Sequence, residues 1–81
     1  MSAQHPEKVT VGTWVRVTGF VPGQEEVFHL VPEEDADYLE NKIPPSSPLA
    51  LALTGTEEGE RVPFHPPAGY VELTVLEIGP R

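Results

Sequence analysis

Few residues in this 81-residue chain could do chemistry, and their spacing limits what that chemistry could be. His5, His29 and His65 are isolated in sequence and form none of the short-spaced pairs from which zinc sites are built. His29 reads as a half-buried strand residue, and His65, just before Pro66, as a turn residue. The run Glu33-Glu-Asp-Ala-Asp37 offers carboxylates for a cation. A calcium loop of the EF-hand type, however, needs alternating oxygens around a glycine and a closing glutamate. No such glycine follows, so the run reads as solvated charge. Ser46 and Ser47 lack both the Gly-x-Ser-x-Gly elbow and a neighbouring base, and the glycines sit singly rather than in a phosphate-cradling loop. With no cysteine there is no thiol nucleophile, disulfide or thiolate metal site. The residues therefore point to no catalytic group, no metal and no cofactor.

Two apolar residues have competing readings. Trp14 either packs beneath a neighbouring loop or anchors an interface, where tryptophan is enriched. Leu51 stands about 200° from Leu49 on a helical wheel. It either packs under the acidic run or forms an exposed apolar spot.

The elements that must position these residues are mostly strands, arranged around one helix. In Pro44-Pro-Ser-Ser-Pro-Leu-Ala-Leu-Ala-Leu-Thr-Gly55, Ser47 is a preferred N-cap and Pro48 suits the first helical position. Gly55 can close the end in a left-handed conformation. Leu49, Ala52 and Leu53 fall on one face. Two turns are far below the ~12–15 residues an isolated helix needs in water, so packing must hold this one.

Before the helix, Val9 to Thr18 alternates with a period of two, and Gly12 suggests a bend or bulge that leaves Val9-Thr-Val11 as a separate short strand. Pro22-Gly23 is a turn dipeptide, and Glu25 to Val31 supplies the hairpin partner. Glu33 to Glu40 is an acidic connection with room for one helical turn, and Asn41 to Ile43 a brief strand ended by prolines. After the helix, Glu60 to His65 contains Pro63, which cannot donate to a ladder and implies an edge position or a bulge. Tyr70 to Ile78 is the clearest strand, with Val71, Leu73 and Val75 alternating. The expected fold is α+β: a curved, mostly antiparallel sheet of about five strands with one short helix packed on one face.

Five basic against thirteen acidic residues leave a net charge of −8. Phosphate backbones repel such a chain, so no direct nucleic-acid binding is expected, and basic or mixed protein surfaces are better partners. No apolar run approaches the ~20 residues of a membrane helix, so no membrane role is expected. The edge near Pro63 could support a weak homodimer.

Taken in order, Val9-Thr-Val-Gly-Thr-Trp-Val, Gly-Gln-Glu-Glu-Val-Phe-His-Leu-Val31, Lys42-Ile, Ser47-Pro-Leu-Ala-Leu-Ala-Leu, Gly59-Glu-Arg-Val, Pro67-Ala-Gly and Val75-Leu-Glu-Ile78 resemble the C-terminal domain of Gre-type (GreA/GreB) transcript-cleavage factors. The resemblance spans Val9 to Ile78 and rests on order and spacing rather than on a single motif. It implies an FKBP-like fold, with residues 1–8 as a flexible tail and 9–81 as the domain. It also implies a bacterial, cytoplasmic protein that works with RNA polymerase, its C-terminal domain docking on the rim of the secondary channel. In the family an N-terminal coiled coil carries the acidic tip that holds the catalytic magnesium. Only eight residues precede the first strand here, so the expectation is a non-catalytic docking module, standing alone or cut from a longer factor.

The family's polymerase contact maps onto Ser46, Ser47 and Pro48, which places a helix N-terminus at the contact. Ser46 replaces an acid often found there, Leu51 stands where the family usually has arginine, and Thr56-Glu57 where it often has two lysines. Leu51 is therefore the candidate apolar substitute in the contact. A regulator of nucleoside diphosphate kinase shares this domain, and FKBP-like domains include prolyl isomerases. Those are the two alternative functions.

Overall fold

Strand β1, Thr13–Thr18, buries Val15 and Val17 completely while Trp14, Arg16 and Thr18 stay half-exposed, the period-two pattern its sequence predicts. The computed structural model describes residues 6–80. After β1 come β2 (Glu25–Leu30), β3 (Lys42–Ile43), the helix α1 (Pro48–Leu53), β4 (Arg61–Phe64) and β5 (Val71–Pro80). Two single-turn 3-10 helices, Glu33–Asp35 and Tyr38–Glu40, occupy the acidic connection where one turn was expected. The tail expected over 1–8 and His5 fall wholly or mostly on residues outside the described ones.

The sheet order is β3-β2-β1-β5-β4, antiparallel throughout except for the parallel β2–β3 pair. Pro63 sits on β4, an edge strand, where its missing N–H interrupts no ladder. Pro22-Gly23 makes the β1–β2 turn, with Gly23 at φ 81° and the Gln24 N–H donating to Val21 O at 3.0 Å.

Two expectations are corrected. Val9 to Val11 is no strand of the sheet. Val9 instead donates its N–H to Thr56 O at 3.0 Å and accepts from the Gly55 N–H at 2.8 Å, so it ties the chain start to the end of α1. Thr10 and Thr13 then close a turn around Gly12, at φ 98°.

In β5 the expected alternation of Val71, Leu73 and Val75 holds. It breaks beyond Val75, where the register against β1 jumps, from Arg16↔Glu77 to Val17↔Val75, leaving Leu76 as the extra residue of a bulge. Val75 and Ile78, three apart, therefore both reach the core.

The second correction concerns the helix. Ala50 and Leu53 are its fully buried residues, and Leu49 and Ala52 flank them half-buried. The buried stripe is thus rotated by one position from the Leu49, Ala52, Leu53 face. Ala50 and Leu53 belong to one core cluster with Val15, Val17, Leu73 and Ile78, all fully buried, and α1 lies against β4.

Candidate functional site

Local chemistry builds the start of α1. The Ser47 hydroxyl accepts from the Ala50 N–H at 3.1 Å, with Ser47 extended at φ −70° and ψ 149° and Pro48 at the first helical position. The Ser47 carbonyl accepts from the Leu51 N–H at 2.9 Å. Pro48 has no N–H, so the first turn leaves a partner little hydrogen-bonding capacity beyond Leu49. At the other end, the Thr54 N–H and hydroxyl both donate to Ala50 O, and Gly55 takes φ 87°.

The four sequence-predicted site residues are therefore close in sequence but unlike in exposure. Ser47 is buried as a cap. Ser46 and Pro48 are exposed beside it, and Leu51 is 67% exposed on the solvent side of the helix. Of the two readings open for Leu51, the structure takes the exposed apolar spot.

Beside this tip lies an apolar groove of about 470 Å³. One wall is Ser47-Pro48-Leu49, the other Phe64-His65-Pro66-Pro67 at the end of β4. Phe28 and Ile43 line it from the sheet, and Tyr38 and Asn41 from the acidic connection. Edge-to-face contacts from Phe20 to Phe28, at 5.9 Å between centroids, and to Phe64, at 6.1 Å, fix two of its rings. Sequence reasoning missed this groove, although Pro66-Pro67 following Phe64 on an edge strand was a signal for one wall. The other side of the sheet carries Trp14, which lies across Gly79, its cross-strand neighbour on β5. The Arg16 guanidinium sits 5.9 Å from the Trp14 ring and pairs with Glu77 at 2.9 Å. Trp14 is thus packed on its own sheet rather than under a loop.

Among the described residues no three His, Asp or Glu side chains gather as metal ligands, and no helix is long and apolar enough to cross a membrane. His29 is half-buried opposite Trp14, and the His65 ring meets Tyr70 at a tilt, 5.0 Å between centroids. Nothing brings the two histidines together.

A five-stranded, mostly antiparallel sheet with one short capped helix defines a small α+β domain of the FKBP-like type. The family model "Transcription elongation factor, GreA/GreB, C-term" matches residues 3–80, so the chain belongs to the GreA/GreB family. The transcription elongation factor GreA of Pseudomonas syringae is 35% identical over 74 residues, covering 91% of this chain and 47% of its own length. GreA of Thermotoga maritima is 29% identical over 76 residues, covering 94% of this chain and 49% of its own. The chain spans about half the length of the curated relatives it matches. Among solved structures, Thermus aquaticus Gfh1 aligns with a TM-score of 0.80 at 26% identity, over 96% of this chain and 51% of that one. A GreA/GreB factor from Nitrosomonas europaea aligns at 0.76 and 27% identity, over 91% and 62%. The GreA relatives and the Nitrosomonas europaea factor are named as transcription elongation factors, and they do not favour the kinase-regulator or isomerase readings.

Proposed function

We propose that this domain is a non-catalytic docking module for RNA polymerase, binding at the rim of the secondary channel and modulating elongation from the cytoplasm. Ser46, Pro48 and Leu51 make the contact, and Ser47 holds the tip in shape. The single observation behind this reading is the position of the tip. In a domain belonging to the GreA/GreB family, the serine-proline start of α1 is exposed, with a leucine presented to solvent one turn on.

An exposed leucine at the place of an arginine exchanges a charged contact for an apolar one. Docking should then be less sensitive to salt than an ion-pair contact would be. The domain contributes affinity and placement, not chemistry.

A pull-down of core polymerase by the tagged domain tests the reading. Binding is expected from the unmutated chain, with loss in Leu51→Glu and weakening in Pro48→Ala. Absence of binding by the unmutated chain refutes it.

A further inference from the structure

The two ends of α1 are held by different parts of the chain. The tip end is closed locally, by the Ser47 hydroxyl accepting from the Ala50 N–H. The far end is closed from a distance. Val9 donates its N–H to Thr56 O at 3.0 Å and accepts from the Gly55 N–H at 2.8 Å, a two-bond ladder to the residues that follow α1. Thr56 in turn folds back on the helix, its N–H and hydroxyl donating to Leu53 O at 3.1 and 2.6 Å. The Val9 side chain is buried in one core cluster with Ala50 and Leu53. Outside the ladder, Lys8 pairs with Glu57 at 3.7 Å, both side chains being open to solvent.

Little else holds α1 to the sheet. It has six residues, well short of what persists alone, and buries only Ala50 and Leu53 fully. The strand it lies against is β4, a four-residue edge strand interrupted by Pro63. A segment with few buried apolar contacts opens locally, at a lower free energy than a central strand. The turn after Val9 is secured separately. Thr10 and Thr13 bond each other, and the Gly12 N–H donates to Leu30 O at 2.9 Å. Gly12, at φ 98°, therefore marks where the hold of the sheet ends and that of the helix begins.

We infer that Val9 is a latch on the docking helix. Val9, α1 and the Gly55-Thr56 link open and close as one local unit, and only the closed unit presents the Ser46–Pro48 tip. Val9 is thus a positioning residue. Buried, it cannot touch a partner, and it acts about 9 Å from the tip, the length of six helical residues. Docking strength is then set by how the chain enters the domain, because the closed fraction scales the apparent affinity. That consequence rests on the docking reading, whereas the latch itself does not.

Native-state hydrogen exchange in low urea tests the latch on the unmutated protein. The amides of Val9, Ala50, Leu51, Thr54 and Gly55 should share one opening free energy, below that of the β1 amides. Trp14→Ala, on the outer face of the sheet, should speed exchange in β1 and leave those five unchanged. Val9→Asp puts a carboxylate at a buried site and should hold the latch open. Its β1 amides should keep their protection, its α1 amides should lose theirs, and its affinity for core polymerase should fall at least about tenfold. Trp14→Ala should bind polymerase as the unmutated chain does, although it too lowers stability. One opening free energy for α1 and β1, wholesale unfolding of Val9→Asp, or unchanged α1 protection or polymerase affinity in that variant overturns the inference. If the unmutated chain fails to bind polymerase, the docking reading falls, and the exchange pattern alone decides the latch.

Discussion

Gly79 shows how one missing methyl shapes the outer face. Its cross-strand partner Trp14 lies so close that a Cβ at position 79 would run into the indole ring. The backbone there is not left-handed, so the constraint is space and not conformation. Gly79→Ala should therefore push the ring off the strand and cost about 1–3 kcal/mol, as overpacking does. A urea midpoint measures this, and the loss should shrink when Trp14→Ala is added, because the clash is then gone. Ser47 makes a contrasting case. Its hydroxyl satisfies one helical N–H, so Ser47→Ala should lower stability by about 1 kcal/mol. Leu51→Glu touches nothing buried and should stay within about 0.5 kcal/mol of the unmutated protein in the same melt. Loss of polymerase binding in Leu51→Glu without loss of stability would separate the tip's surface from its scaffold.

At the scale of elements, α1 cannot persist alone at six residues, and its two ends are held by different means. Ser47 caps one end, while Val9 reaches back to grip Gly55 and Thr56 at the other. Val9 is 1% exposed and joins the same core as Leu53. Leu53→Ala should accordingly cost about 2–5 kcal/mol, with thermal unfolding as the readout. A midpoint shift of only a degree or two would mean that the helix is not held by its packing on the sheet. The caps were legible in sequence because Ser47-Pro48 and Gly55 act within a few residues of themselves. Pro63 was legible as an edge or a bulge for the same reason, since a missing donor has a local meaning, and the sheet order settles it as an edge. Val9 was misread because its alternation with Val11 fits a strand, whereas its true partners lie more than forty residues away. The bulge at Leu76 escaped because it depends on the register of β1, and the spacing from Val75 to Ile78 was its only trace. The groove escaped for a related reason: its walls come from four separate stretches that only the sheet order brings together.

Across the whole molecule, thirteen acidic residues face five basic ones, and the balance decides how salt acts. Ion pairs among the described residues are open to solvent: they include Arg16 with Glu77 at 2.9 Å and Glu25 at 3.8 Å, Lys8 with Glu57 at 3.7 Å, and Lys42 with Glu40 at 3.9 Å. Exposed pairs of this kind contribute about 0–1 kcal/mol each and are screened by salt. Against them stands the mutual repulsion of a net charge of −8 on a small domain, with a run of five carboxylates between Glu33 and Glu40. Screening weakens both terms, but the uncompensated carboxylates outnumber the paired ones, so repulsion is the larger loss. Raising sodium chloride from 20 to 500 mM should therefore stabilise the fold. For a domain of this size about 1 kcal/mol corresponds to roughly 4–8 °C in melting temperature, so calorimetry resolves even a modest effect. A melting temperature that falls with salt would mean that the Arg16 pairs and their neighbours outweigh the acidic surface. The same excess charge opposes self-association in dilute buffer, so any weak homodimer should appear in sedimentation at high salt before it appears at low salt.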